Sequence, residues 1–124
     1  MAGIERFEDI IAWQKARHLT RLIYQVSDVG SWSRDFGLKD QTRRASVSIM
    51  SNIAEGFERG PREFHQFLTV AKGSCAEVRS LQYVALDAAH LSEPDFANLM
   101  ARSEEVARLI GGLRAAVADN IANL

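Results

Sequence analysis

The chain has 124 residues, of which 47% are hydrophobic, a formal net charge of −1 and one cysteine. That length suits a single domain around one continuous core, and the composition is neither disordered nor membrane-like. The charge is too balanced to announce a nucleic-acid partner, no apolar run approaches the ~18 residues of a membrane span, and the lone Cys75 excludes an internal disulfide and suits a reducing cytoplasm. The opening MAGIERFEDI places Glu5, Glu8 and Asp9 ahead of any apolar stretch, which argues against a secretory signal. Charge is unevenly spread: residues 1–86 carry 12 Lys/Arg against 10 Asp/Glu, and residues 87–124 carry 3 against 6.

A first helix is expected over about 8–28. It ends before Val29-Gly30-Ser31-Trp32-Ser33, a run poor in helix formers. A second helix, about 36–58, ends at Arg59-Gly60, and Pro61 opens a third, about 61–90. Pro94, after Ser92-Glu93, opens a fourth, about 93–122. Glycine closing one helix and proline opening the next is the usual asymmetry of helix ends. Ser92 can N-cap the fourth helix, with Glu93 and Asp95 complementing its dipole. The third helix repeats apolar residues at Phe64, Leu68, Ala71, Cys75, Val78 and Ala85. The fourth does so at Leu99, Val106, Ile110, Leu113, Val117 and Leu124, passing polar Ser103. Short connections force neighbours antiparallel, so residues 1–124 read as one all-α, up-and-down four-helix bundle.

The second helix is wider in its apolar arc than the others. Ala45, Val47, Ile49, Met50, Ile53, Ala54 and Phe57 sweep roughly 200° of its circumference at ~100° per residue, more than a surface helix needs. The surplus predicts a second copy packed on this helix; the alternative is cover from Trp13 or Trp32 within the chain. On the remaining arc, Gln41, Arg44, Ser48, Asn52, Glu55 and Arg59 step by three and four residues along one face. Serine and asparagine are weak helix formers for a plainly solvated face, so the ladder suggests a partner that needs hydrogen bonds. Across a hairpin turning at Gly60-Pro61, Glu77 falls level with Arg44, and an ion pair of Glu77 with Arg44 or Arg43 is expected.

Signals of catalysis or metal binding are weak. Cys75 reads as a small core residue. His18, His65 and His90 fall on three different helices. Asp87-Ala-Ala-His90 has the acid-to-histidine spacing of bundle di-metal sites but lacks the second such pair, so His90 reads as a helix-end histidine. Gly111-Gly112 and Gly73-Ser74 lie inside helices and are expected to permit close packing, and no serine is marked as a nucleophile. Neither a metal nor a cofactor is expected.

The run Leu38, Gln41, Arg44-Ala45, Ser48-Ile49, Asn52-Ile53-Ala54-Glu55-Gly56, then Arg59, then Phe64, Phe67-Leu68, Ala71, Gly73-Ser74 and Glu77, resembles the four-helix-bundle family of proteins encoded in 23S rRNA intervening sequences. Phe7-Glu8-Asp9-Ile10, with Trp13, Gln14 and Ala16, fits that family's first helix. The resemblance covers about residues 7–80. It implies a small cytoplasmic bacterial protein assembled into a ring, typically a pentamer, and does not imply an enzyme. Similar bundles serve retroelements by engaging nucleic acid through a basic ring surface. Two readings result. One is a non-catalytic homo-oligomeric scaffold or adaptor working through the ladder. The other is an RNA-binding protein, associated with the ribosome or its RNA, in which Lys39, Arg43, Arg44, Arg59 and Arg62 from each subunit combine into a basic surface.

Overall fold

Proline lacks the N–H that a helix interior needs but fits its first turn, where that donor has no partner. Pro61 and Pro94 occupy the first turns of two helices in the computed structural model, which describes residues 3–123. The helices are Ile11–Val26 (α1), Phe36–Phe57 (α2), Pro61–Asp87 (α3) and Glu93–Ala122 (α4). Ser92 caps α4, its Oγ accepting from the Asp95 N–H at 3.2 Å. Asp35 caps α2, its Oδ1 accepting from the Leu38 N–H at 3.3 Å. Two short 3₁₀ turns, Phe7–Asp9 and Gly30–Arg34, precede α1 and α2, and the first explains why α1 starts later than its pattern suggests. The α3 helix stops at Asp87 because Ala89 takes a φ of 61° and the His90 N–H turns back to the Ala85 carbonyl at 2.8 Å. That ending is usually built on glycine.

Each helix packs on its chain neighbours, and α4 closes back on α1. The result is the all-α, antiparallel up-and-down bundle that periodicity predicts. All four helices feed one core, including Leu19 and Ile23 of α1, Ile49 and Ile53 of α2, Leu68 and Val78 of α3, and Val106 and Ile110 of α4. Trp32, on the second 3₁₀ turn, is fully buried. Inside the same core, Gln82 Nε2 donates to Ser103 Oγ at 2.6 Å, and that hydroxyl donates to the Leu99 carbonyl. No described helix is long and apolar enough to cross a membrane.

The wide apolar arc of α2 is covered mostly from within the chain. Ala45, Ile49 and Ile53 are buried, and Met50 and Phe57 pack partly buried against the same core. Phe57 meets Phe64 edge-on, with ring centroids 5.8 Å apart. Val47 is the exposed large side chain of the arc, at 38%. The width of the arc alone therefore does not demand a second subunit.

Glycine roles also differ from expectation. A Cβ added at Gly73, Gly111 or Gly112 would meet nothing within 4 Å, so these are not close-packing positions. Gly56 is one: its Cβ would stand 2.6 Å from Phe67 Cβ and 3.0 Å from a Phe64 ring carbon. Phe67 Cβ is fixed to the backbone of α3, so no rotamer change relieves the overlap.

Gly56→Ala should therefore cost about 1–3 kcal/mol as overpacking, whereas Gly111→Ala should stabilise by about 0.5–1 kcal/mol through helix propensity. Ala89→Gly should stabilise by about 1 kcal/mol, since only glycine adopts the left-handed conformation without penalty. Urea denaturation of the three variants measures all three signs.

Candidate functional site

The polar ladder of α2 faces α3 of the same chain. Ser48 Oγ and Ser74 Oγ lie 2.9 Å apart, and Asn52 Nδ2 donates to the Ser48 carbonyl at 2.8 Å and to its hydroxyl at 3.1 Å. Toward the open end of the hairpin, Gln41 Nε2 reaches Glu77 Oε2 at 3.5 Å. At the turn, Arg59 bridges Glu55 at 3.3 Å and Glu63 at 2.9 Å, with its guanidinium carbon 5.0 Å from the Phe67 ring centroid. The small hydroxyl and amide groups thus meet a helix, as their chemistry suggests, and that helix is α3.

The expected ion pair of Glu77 is not formed. The hairpin register is right to within two or three residues, but the neighbour of Glu77 is Gln41. Arg44 is held by Asp40 at 2.9 Å, one turn back on its own helix. Arg43 reaches the other way, to α1: its Nε donates to Ser27 Oγ at 2.9 Å, Nη2 lies 3.6 Å from Asp28, and the guanidinium sits 4.3 Å from the Tyr24 ring centroid. Lys39 shares Asp28 at 3.8 Å. Of the five cations expected on a basic surface, four therefore have a carboxylate partner, Lys39 and Arg43 sharing one. Among the described residues, Arg62 enters no ion pair.

One constellation escaped the sequence because its members come from distant segments. His90, in the connection from α3 to α4, has Nδ1 2.7 Å from Ser31 Oγ and Nε2 3.0 Å from Asp35 Oδ2. Its ring lies nearly parallel to Trp32, with centroids 6.3 Å apart and planes 11° apart. The partner of His90 is thus Asp35, not the Asp87 that shares its sequence neighbourhood. Both Asp35 oxygens are occupied, one by His90 and one by the Leu38 N–H, and these bonds hold its carboxyl below the ordinary aspartate value, the His90 bond contributing most. Burial pushes the Cys75 thiol up to about 11, as befits an inert core residue.

The model of the 23S rRNA-intervening sequence protein family matches residues 8–112. The chain belongs to that family. A crystal structure of a protein with unknown function from the S23 ribosomal protein family of Bacteroides thetaiotaomicron shares the fold, with a TM-score of 0.77 at 16% identity over 85% of this chain and 96% of that one. No curated protein matches. Four of the five residues in the run through which this chain resembles the 23S rRNA-intervening sequence proteins do structural work. Asn52 ties the seam to Ser48, Ile53 is buried, Glu55 pairs with Arg59, and Gly56 admits Phe67.

The depressed carboxyl of Asp35 has a defined signature in acid. A group whose folded pKa is lowered contributes stability above its unfolded pKa and loses it as pH falls through the folded value. The stability difference between the wild type and Asp35→Asn should shrink as pH falls from about 5 to about 3. Urea midpoints across that range measure it, and a pH-independent difference would remove the His90–Asp35 bond from the account.

Proposed function

We propose that the chain is a non-catalytic scaffold or adaptor that works as a homo-oligomeric ring. The observation that carries this reading is a pair of unlike apolar surfaces on opposite edges of the bundle. Between α1 and α4 lies a recess of about 350 Å³ lined by Ile4, Ile10, Ile11, Leu109 and Leu113, with Ile11 54% exposed. On the opposite side of the bundle, Val70 of α3 stands 54% exposed, beside Gly73, which leaves room for close approach. Unlike surfaces on one chain pair head to tail, and such contacts build rings when the rotation closes. Five copies is the number the family resemblance implies. In this arrangement Gln41, Arg44, Glu55 and Arg59, exposed along the same edge, would border each joint.

Membership in the 23S rRNA-intervening sequence protein family keeps RNA as the alternative partner. Its specific test is salt: nucleic-acid affinity should fall steeply between ~50 and ~200 mM, whereas an apolar joint should persist.

Sedimentation at micromolar concentration should give a multiple of the 13.8 kDa chain mass, and a monomer would overturn the reading. Ile11→Glu and Val70→Glu should each give folded monomers, while Glu104→Lys should still assemble. Mixing the two folded monomers should produce a heterodimer and nothing larger, because one variant keeps its ridge and the other its recess. A self-complementary interface would not be rescued by mixing. Glutamate at Met50 or Phe57 would test folding instead, since both side chains pack on their own core.

A further inference from the structure

We propose that the recess between α3 and α4 binds a phosphate group, either free phosphate or the phosphodiester of a nucleic acid. The recess, about 220 Å³, is lined by His65 and Lys72 from α3 and by Gly111, Arg114, Ala115 and Ala118 from α4. His65 and Lys72 are two helical turns apart on one face, and Arg79 continues that line by two turns more. Opposite them, Gly111, Ala115 and Ala118 give α4 a floor without long side chains, and a Cβ at Gly111 would meet only open space. None of the six lining residues is acidic.

The charges here are uncompensated. Lys39, Arg43, Arg44 and Arg59 all have carboxylate partners, but among the described residues Lys72, Arg79 and Arg114 have none within salt-bridge reach. Arg114 Nε is buried with no hydrogen-bond partner. A guanidinium offers donors and no acceptor, and a buried N–H without a partner is held at a cost, here on a side chain that is half-buried overall. A phosphate supplies the missing charge, and its oxygens accept simultaneously from a guanidinium, an ammonium and an imidazole N–H. This edge is distinct from both surfaces used for ring assembly, so the two readings fail independently.

The test is an amide-resolved NMR titration of the full chain at constant ionic strength, first with inorganic phosphate and then with a short oligouridylate, with chloride as control. Saturable shifts are expected at His65, Lys72, Gly111 and Arg114. Lys72→Ala, at an exposed position that does not threaten the fold, and Arg114→Gln, checked for helicity, should each weaken binding about tenfold. Saturation by phosphate alone identifies free phosphate as the ligand. Saturation by the oligonucleotide at lower concentration identifies a phosphodiester. The proposal is overturned if neither ligand gives saturable shifts at these residues, or if Lys72→Ala binds as tightly as the wild type.

Discussion

The approach of Gly56 to Phe67 fixes how far apart α2 and α3 can stand near their turn, and the chemistry of the whole seam follows from that distance. Close to the contact, serine hydroxyls are long enough to meet, as Ser48 and Ser74 do at 2.9 Å. Toward the open end the connection is made by two long side chains, Gln41 and Glu77, and is stretched to 3.5 Å. The seam is thus pinned near the turn by the glycine contact and joined farther out by side chains of both helices. Arg59 completes the pinned end by lying over Phe67 while bridging Glu55 and Glu63. Weak helix formers are tolerated along α2 because each one close to α3 bonds either the neighbouring helix or its own preceding turn.

The opposite end of the bundle is held by different means. There the connections between α1 and α2 and between α3 and α4 come together, and the buried Trp32 closes the core. His90 stacks on that indole and bonds both Ser31 and Asp35, so one imidazole ties the two connections to the start of α2. Serine, histidine and aspartate in a row invite comparison with a catalytic set. Here, however, Asp35 spends its other oxygen as the cap of α2, and the histidine is packed against a tryptophan. The arrangement has the features of a clasp between loops.

How much of this was legible depended on whether the signal was local. The limits of α4, the proline starts and the Ser92 cap are written in adjacent residues, and the structure agrees with them. The helical pattern runs past the end of α3 because the left-handed position is Ala89, and alanine carries no stop signal. Gln82 occupies a core step that a hydrophobic pattern skips, since its partner Ser103 lies on another helix. The ladder was found from spacing, but its partner was not, because a helix face does not say which neighbour it meets. For the same reason the sequence points to Gly111, Gly112 and Gly73 for the close contact that belongs to Gly56. Membership in the family could be read from the motif itself, whereas the clasp around His90 depends on contacts between segments some 60 residues apart.

Charge shows the same limit of local reading with a different consequence. The last third of the sequence is net acidic, yet Glu93 and Asp95 sit in the first turn of α4, where they complement the helix dipole. Farther along, Arg108 and Arg114 stand on the same helix without carboxylate partners among the described residues. On α2 and at its end, by contrast, Asp28, Asp40, Glu55 and Glu63 pair with four of the cations expected to act. Ion pairs at these distances leave little field beyond a Debye length of about 8 Å, whereas an unpaired guanidinium beside a recess acts on whatever enters it. The surface to which an anion would respond is therefore set by the pairing of charges in space, which favours the edge between α3 and α4 over the ladder of α2.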